Sequence, residues 1–257
     1  AAAQLKTGLA NIEKNLARQV ASEKITQSAS DAALALISKH SELAALAEAD
    51  LVIETASEDE NIKLQILEGV SALVSDDTLL ASNTSSISIT RLAAQTRHPE
   101  NFIGMHFMNP VPVMQLVELI RGMATSDESF EKAQAIVKTL GKTAAVSEDY
   151  PAFIVNRILL PMINEAAFAL YEGVGTVASI DEAMQLGANH RMGPLQLADF
   201  IGLDTCVSIM RVLQDGLGDD KYRPCPLLVK YVEAGWLGRK SGRGFYDYGG
   251  DKPVPTR

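Results

Sequence analysis

The first half of the chain alternates between helix-like and strand-like spacings of apolar residues. From Leu5 to Val20, apolar residues recur every three or four positions, which is typical of one face of an amphipathic helix. Short apolar runs predict buried strands at residues 50–54, 78–82, 102–106 and 117–120. Because strands that alternate with helices imply a parallel sheet, we expect an α/β domain in this half.

Polar residues mark where several of these helices are expected to begin. Ser57 and Glu60 have the S-x-x-E spacing of a capping box, in which each side chain satisfies a backbone N–H group of the first turn. Residues 125–128 predict the start of another helix, which we expect to end near Gly141.

The second half has an almost entirely helical pattern. Pro151 suits the first turn of a helix that we expect to end near Tyr171, and residues 179–182 predict the cap of another. Residues 193–194 are best read as a turn before a further helix. The chain is therefore predicted to hold an α/β domain and an all-helical domain, over residues 1–148 and 149–257.

Composition narrows the classes of protein that this pattern can belong to. The chain has 257 residues, of which 47% are hydrophobic, so it can bury a core of useful size. A net charge of −9 argues against nucleic acid and anionic membranes as partners, and no apolar stretch reaches the ~18 residues of a membrane span. The two cysteines form no CxxC pair, which favours the cytoplasm.

One histidine and one glutamate form the strongest candidate for a catalytic pair. His106 lies among apolar residues, and Glu118, in an apolar predicted strand, needs a partner because an unpaired buried charge is costly. An imidazole oriented by a carboxylate suits a general base near neutral pH. The alternative is a hydrogen-bonded core histidine. Residues 82–86 and 106–109, with Glu58, would lie beyond the carboxyl ends of strands, where ligands of such sheets gather.

Several other polar residues have a functional and a purely structural interpretation. Asn156 falls in the middle of a predicted helix, where a neutral exposed position competes with a substrate contact. On their spacing alone, Glu58 and Lys63 fit a solvated helix face. The remaining histidines are expected to be surface or structural residues: His40, His98 and His190.

Five motifs in order carry a resemblance to a known family. They are SNTSS at 82–86, HFxNPVPVMxLVE at 106–118, PxFIVNR at 151–157, MGPxxLxDxIGLD at 192–204 and GRKxGxGFY at 238–246. The chain resembles the L-3-hydroxyacyl-CoA dehydrogenase family over residues 1 to 248, and most resembles its short bacterial 3-hydroxybutyryl-CoA dehydrogenases. The resemblance implies a Rossmann-type domain followed by a helical domain that forms a homodimer.

The resemblance also implies roles for individual residues. His106 matches the base that takes the 3-hydroxyl proton of a CoA thioester while hydride passes to NAD, and Glu118 matches its paired carboxylate. Ser85 and Asn156 match residues that hold the substrate oxygen, and Ser85 also lies on the nicotinamide side. The positions that match NAD contacts are Glu58, Lys63, Asn109 and Lys240, and no metal is implied.

The family pattern begins with a strand, a GxGxxG turn and a helix that have no counterpart in these 257 residues. We therefore expect the sequence to be an incomplete record of a longer enzyme, with an open apolar strand edge at residues 51–54. Two other classes of function stay open. One is a non-catalytic dimerisation relative that has lost its cofactor site, and the other is a dehydrogenase of hydroxy acids that are not CoA thioesters. The choice between NAD and NADP, the acyl chain length and the pathway are not specified by these residues.

Overall fold

The computed structural model describes residues 2–256, and the chain divides into two compact units. The first unit comprises the residues up to Thr84 and residues 89–146, and the second comprises residues 85–88 and the residues from Ser147 onward. The first unit contains α1 (Ala2–Ala21), α2 (Gln27–Ala35), β1 (Leu51–Glu54), α3 (Glu60–Ser71), β2 (Leu79–Ser82), α4 (Ile89–Ala93), β3 (Phe102–Phe107), β4 (Leu116–Arg121), α5 (Asp127–Thr139) and most of β5 (Thr143–Glu148).

The first unit is built on a five-stranded sheet in the order β1-β2-β3-β4-β5. The first three strands are parallel, with Glu54 opposite Ser82 and Ser82 opposite Gly104. The prediction of a parallel sheet is correct for these strands and wrong for β4, which runs antiparallel to β3. Residues 108–115 are too few for a parallel crossover, which needs about a dozen residues or more.

Successive residues of β3 face opposite sides of the sheet. Ile103 and Met105 are fully buried in the apolar cluster that includes α5 residues Ala133 and Val137. Gly104 lies on the opposite face, where an added Cβ would come 2.9 Å from side-chain atoms of Ile89. His106, two residues further along β3, therefore projects from the same face as Gly104.

The N-caps of α3 and α5 lie one or two residues after the predicted ones. Asp59, rather than Ser57, caps α3 by accepting a 3.0 Å hydrogen bond from the Ile62 N–H. Ser126, rather than Thr125, caps α5 by accepting one from the Ser129 N–H at 3.1 Å. The predicted helices exist, but the cap is the residue whose side-chain oxygen reaches the open N–H group.

The second unit is almost entirely helical. Its longer elements are α6 (Val155–Tyr171), α7 (Val177–Glu182), α8 (Pro194–Ile201), α9 (Leu203–Leu217) and α10 (Pro226–Glu233), followed by the short strands β6 (Tyr246–Asp247) and β7 (Val254–Pro255). Gly193 and Pro194 stand at the N-cap and first turn of α8, as predicted. The predicted cap at Ser179 is wrong, because Thr176 caps α7 and accepts the Ser179 N–H at 3.1 Å.

The start of α6 differs from the sequence prediction in a way that affects a candidate site residue. Ala152 and Phe153 have φ angles of 62° and 53°, so the backbone there is left-handed and the helix begins only at Val155. Pro151 is therefore not in its first turn. Asn156, expected in the middle of the helix, instead lies in the first turn.

Two buried aspartates hold the last part of the chain against the helices of the second unit. Asp199 accepts hydrogen bonds from the Phe245 N–H and the Tyr246 N–H at 2.9 Å each, and from the Tyr248 hydroxyl at 3.0 Å. Asp181 accepts from the Tyr246 hydroxyl at 2.7 Å. Burial raises the pKa of both carboxyl groups above the usual value for aspartate.

Candidate active site

His106 and Glu118 form a buried pair on neighbouring strands. The two residues are opposite each other in the register of β3 and β4, and 2.7 Å separates His106 Nδ1 from Glu118 Oε2. The Glu118 side chain is completely buried and that of His106 is 9% exposed. The register of the sheet therefore brings together two side chains that are twelve positions apart in the sequence, as the pattern of residues predicted.

The contact assigns the two ring nitrogens of His106 different roles. An ionised carboxylate can only accept a hydrogen bond, so Nδ1 carries the proton that it donates to Glu118. The other nitrogen, Nε2, is then the one that can accept a proton. When the imidazole ring holds a second proton, it is positively charged, and a carboxylate in this position stabilises that charge.

A second polar cluster lies at the carboxyl ends of β1 and β2, and we name it the carboxylate–lysine cluster. The Lys63 ammonium group contacts both carboxylate oxygens of Glu54 at 2.9 Å and Oε2 of Glu58 at 3.5 Å. The Ser82 hydroxyl donates to Glu54 at 2.7 Å, and the Thr84 hydroxyl donates to Glu58 at 2.6 Å. The cluster therefore consists of Glu54, Glu58, Lys63, Ser82 and Thr84.

The burial of Lys63 contradicts its interpretation as part of a solvated face. Its side chain is 1% exposed, and besides the two glutamates its ammonium group contacts the Ala56 carbonyl oxygen at 3.3 Å. A lysine is almost never fully buried unless it is paired, and here Glu54 is the partner. Glu58 precedes α3 and its side chain is 39% exposed, so it is the accessible carboxylate of the cluster.

The candidates for substrate contact belong to the second unit. Ser85 follows Thr84 directly in the chain and is half-buried, as is Asn156 in the first turn of α6. The segment 85–88 is attached to this unit by a hydrogen bond of 2.7 Å from the Ser88 hydroxyl to Asp149. The backbone therefore places Ser85 at the point where the chain passes from one unit into the other.

The remaining candidates for cofactor contact are exposed. Asn109 lies just beyond the end of β3 and is exposed to solvent. Lys240 lies in a short 3-10 turn of the second unit, where its ammonium group donates to Asp204 at 2.7 Å. Its side chain is 47% exposed despite this ion pair.

Sequence reasoning placed Ser82 and Asn83 at this edge of the sheet but missed Glu54 and the hydrogen bonds that Ser82 and Asn83 make there. A signal for Glu54 was present, because a charged residue that ends a buried strand must find a partner. Asn83, which directly follows β2, accepts a hydrogen bond from the Phe107 N–H at 2.8 Å. The residue types alone do not predict this contact.

Among the described residues, the other histidines form no second buried pair with a carboxylate like that of His106 and Glu118. His40 is exposed, His190 is half-exposed, and His98 lies on the surface between Asp76 at 3.1 Å and Glu100 at 3.2 Å. Within residues 2–256, no group of three His, Cys, Asp or Glu side chains is placed to hold a metal ion. No helix in that range is long and apolar enough to cross a membrane.

Comparisons with known proteins agree with the family that the motifs indicated. Residues 1–150 match the model of the 3-hydroxyacyl-CoA dehydrogenase NAD binding domain, and residues 153–248 match the model of the C-terminal domain of the same family. These matches confirm a Rossmann-type domain followed by a helical domain.

Similar proteins include a 3-hydroxybutyryl-CoA dehydrogenase of Bradyrhizobium diazoefficiens, 65% identical over 99% of this chain and 87% of that relative. A probable 3-hydroxybutyryl-CoA dehydrogenase of Bacillus subtilis is 54% identical over 95% of this chain and 85% of its own length. The crystal structure of (S)-3-hydroxybutyryl-CoA dehydrogenase from Ralstonia eutropha superposes with a TM-score of 0.94 at 48% identity, covering 97% of this chain and 88% of that one. The chain therefore belongs to the 3-hydroxyacyl-CoA dehydrogenase family and is, with that family, an oxidoreductase that uses NAD.

Proposed function

We propose that the protein interconverts (S)-3-hydroxybutyryl-CoA and acetoacetyl-CoA, with His106 as the general base. The observation that carries this proposal is the 2.7 Å contact between His106 Nδ1 and the fully buried Glu118. The names of the similar proteins from Bradyrhizobium diazoefficiens and Ralstonia eutropha support the four-carbon acyl group.

The residues at the carboxyl edge of the parallel strands fit a dinucleotide. Ligands of open α/β sheets bind at this edge, and Glu58 and Asn109 are polar and exposed there. Glu58 would hold NAD directly, whereas Lys63, buried behind it, would act mainly by fixing the Glu58 carboxylate. Asn109, Lys240 and Ser85 complete the proposed set of cofactor contacts. NAD, when bound, supplies the hydride acceptor.

The chain's own residues perform the proton chemistry of the proposed reaction. During oxidation, His106 Nε2 takes the proton of the substrate 3-hydroxyl group as that carbon loses hydride. Glu118 keeps the ring in one tautomer and stabilises the positive charge that the ring gains. Ser85 and Asn156 are proposed to donate hydrogen bonds to the substrate oxygen, which fixes the reacting carbon for transfer.

Replacing the proposed base tests this assignment. We expect His106→Gln to lower kcat at least ~10²-fold while the KM for the CoA thioester changes little, because the base acts mainly in the transition state. His190→Gln is the matched control, since His190 lies in the helical unit and is half-exposed, and its kcat is expected to equal that of the wild type. An unchanged kcat in His106→Gln would remove the histidine from this role.

The substrate class is tested separately from the catalytic residue. We expect acetoacetyl-CoA to raise the melting temperature of the protein, and free hydroxy acids to leave it unchanged. Stabilisation by free hydroxy acids instead would favour a dehydrogenase of substrates that are not CoA thioesters. Stabilisation by neither class would favour a relative that has kept only a structural role.

We also propose that the helical unit forms a homodimer. It exposes large apolar side chains, including Ile158 at 69% and Phe200 at 53%, and exposed apolar surface of this kind is typical of subunit contacts. Sedimentation at micromolar concentration is expected to give twice the mass of the chain, and a monomer alone would contradict the proposal. The cytoplasm is the compartment proposed for it, in keeping with two buried cysteines that form no disulfide.

A further inference from the structure

We infer that Asn83 is a positioning residue, whose side-chain oxygen fixes the carboxyl end of β3 and thereby the imidazole of His106. The inference rests on the proposed function in one respect only, namely that His106 is the catalytic base. We do not propose that Asn83 contacts the substrate or the cofactor.

The pairing of β2 with β3 stops before the part of β3 that carries His106. The paired register of the two strands ends with Ser82 opposite Gly104. β3 continues to Phe107, and on its other side it stays paired with β4 as far as Phe107 opposite Val117. The part of β3 that carries His106 therefore lies beyond the backbone ladder on the β2 side.

The Asn83 side chain provides the next hydrogen bond to β3 where this ladder ends. Its Oδ1 accepts a hydrogen bond of 2.8 Å from the Phe107 N–H, and that nitrogen is bonded directly to the carbonyl carbon of His106. A side-chain amide thus supplies the acceptor that a further β2 backbone carbonyl would supply in a longer ladder. The peptide unit that follows His106 is held from both sides of the strand.

Asn83 is itself held firmly enough to act as an anchor. Its backbone N–H donates to the Glu54 carbonyl oxygen at 2.8 Å, which ties it to β1. Its chain neighbours Ser82 and Thr84 are buried members of the carboxylate–lysine cluster. The anchor therefore connects the end of β3 to the part of the sheet that carries the proposed cofactor contact Glu58.

Loss of this contact should affect turnover more than binding. Without it, the end of β3 keeps its pairing with β4 but loses this hydrogen bond on the β2 side, and displacement of a catalytic group by ~1 Å can cost ~10²-fold in rate. Residues that bind the CoA thioester or NAD keep their own partners. A KM that stays constant while kcat falls would thus distinguish positioning of the base from general damage to the fold.

Asn101 offers a matched control at the opposite end of the same strand. It directly precedes Phe102, its Nδ2 donates to the Asp76 carbonyl at 2.7 Å, and its Oδ1 accepts from the Ser129 hydroxyl at 3.1 Å. Asn101→Ala therefore removes the same chemical group, with two hydrogen bonds, far along β3 from His106. Both amides are half-buried, so any purely structural cost of losing such a group should appear in this variant as well.

The kinetic test compares three variants with the wild type. We expect Asn83→Ala to lower kcat ~10-fold or more with each KM within about threefold, and Asn101→Ala to keep kcat within about twofold. Asn83→Asp keeps an oxygen that accepts the Phe107 N–H and is expected to restore most of kcat. Equal loss of kcat in Asn83→Ala and Asn101→Ala, or no loss in Asn83→Ala, would overturn the inference.

A spectroscopic test separates this inference from the proposed function. The chain has four histidines, so the imidazole ε1 carbon–proton NMR signal of His106 can be assigned by its loss in His106→Gln. We expect this signal to move in Asn83→Ala and to keep its wild-type position in Asn101→Ala. If Asn83→Ala does not fold, Asn83→Ser, whose side chain is too short to reach the amide, is measured in its place.

Different results would refute the proposed function and the positioning role of Asn83. A wild-type protein that does not oxidise 3-hydroxybutyryl-CoA, but whose His106 signal moves only in the Asn83 variant, would refute the proposed function and leave the positioning role intact. A His106 signal that stays in place in the Asn83 variant would refute the positioning role whatever the substrate is.

Discussion

Two buried ion pairs of the first unit differ in how far their side chains are exposed to solvent. The Lys63 ammonium group is enclosed by Glu54, Glu58 and the Ala56 carbonyl oxygen, so its contacts are within the protein. The His106 side chain keeps 9% exposure beside a Glu118 that has none. The first pair therefore acts as a fixed part of the sheet edge, whereas the second keeps an accessible ring for chemistry.

Removing the charge of Lys63 should destabilise the first unit strongly. We expect Lys63→Met to lower the free energy of unfolding by about 3–5 kcal/mol, because it leaves the Glu54 carboxylate buried and unpaired. The double variant Glu54→Gln/Lys63→Met leaves no unpaired charge and should recover part of this loss. Denaturant unfolding measures both effects.

An exposed pair provides the comparison for this prediction. Lys132 and Glu128 form an ion pair of 2.9 Å on the surface of α5, with side chains 45% and 77% exposed. Lys132→Met should therefore change the free energy of unfolding much less than Lys63→Met does, because solvent screens an exposed pair. Equal effects at Lys63 and Lys132 would mean that burial does not govern the cost.

At the level of elements, the sequence predicted where strands lie better than how they are paired. Apolar runs indicated β1 to β4 to within about two residues, because burial on both faces leaves a clear pattern. The pattern carries no direction, so β4 was placed in a parallel sheet. The sequence shows no sign of β5, because Thr-Ala-Ala-Val-Ser-Glu has one large apolar residue and three of its six positions are exposed.

The same limit applies to the candidate site. Residue types and motifs were enough to pair His106 with Glu118, because a charge in an apolar strand needs a partner. They did not predict the buried state of Lys63, which depends on how α3 packs at the end of β1, or the contact of Asn83 with Phe107, which depends on the pairing of β2 with β3. The start of α6 could not be read either, since left-handed backbone at Ala152 and Phe153 has no marker in non-glycine residues.

Gly193 illustrates an element whose start depends on close packing. An added Cβ at this position would overlap the carboxyl group of Asp181, which accepts hydrogen bonds from the Leu195 and Gln196 N–H groups at 2.8 and 3.0 Å. We expect Gly193→Ala to lower the free energy of unfolding of the helical unit by about 1–3 kcal/mol, as overpacking does. Urea unfolding followed by fluorescence of Trp236, the single tryptophan, measures it.

Gly187→Ala is the control for this prediction. An added Cβ at Gly187 would meet no atom within 4 Å, and the residue lies in the same unit a few positions before α8. Its effect should be clearly smaller than that of Gly193→Ala. Equal effects would show that loss of glycine flexibility, rather than contact with Asp181, sets the cost.

On the scale of the whole molecule, the proposed functional residues divide between the two units. The first unit holds the base pair and the carboxylate–lysine cluster, and the second holds Ser85, Asn156 and Lys240. Each unit also has its own buried acidic groups: Glu54 and Glu118 in the first, and Asp181 and Asp199 in the second. Among residues 2–256, no lysine or arginine lies within ion-pair distance of Asp181 or Asp199, whose partners are backbone N–H groups and tyrosine hydroxyls.

The pH dependence of the second unit follows from Asp199. Burial raises its pKa in the folded state above the ~3.9 of an unfolded aspartate, and the nearby Asp181 acts in the same direction. A raised folded pKa gives a stabilising contribution that is fully present below about pH 3.9 and is lost as the pH rises through the folded value. The difference in unfolding free energy between wild type and Asp199→Asn should therefore be larger at about pH 4 than at about pH 7.

Asp219 provides a control of opposite sign in the same unit. Its carboxylate accepts the Lys221 N–H at 3.0 Å, and this hydrogen bond lowers the pKa of Asp219. Its contribution is present above about pH 3.9 and is lost as the pH falls through the lowered folded value, so the wild-type advantage over Asp219→Asn should shrink toward acid. Urea unfolding of both variants, followed by Trp236 fluorescence across this pH range, compares the two signs directly. If the difference for Asp199→Asn also shrank toward acid, burial would not be the dominant influence on that carboxyl group.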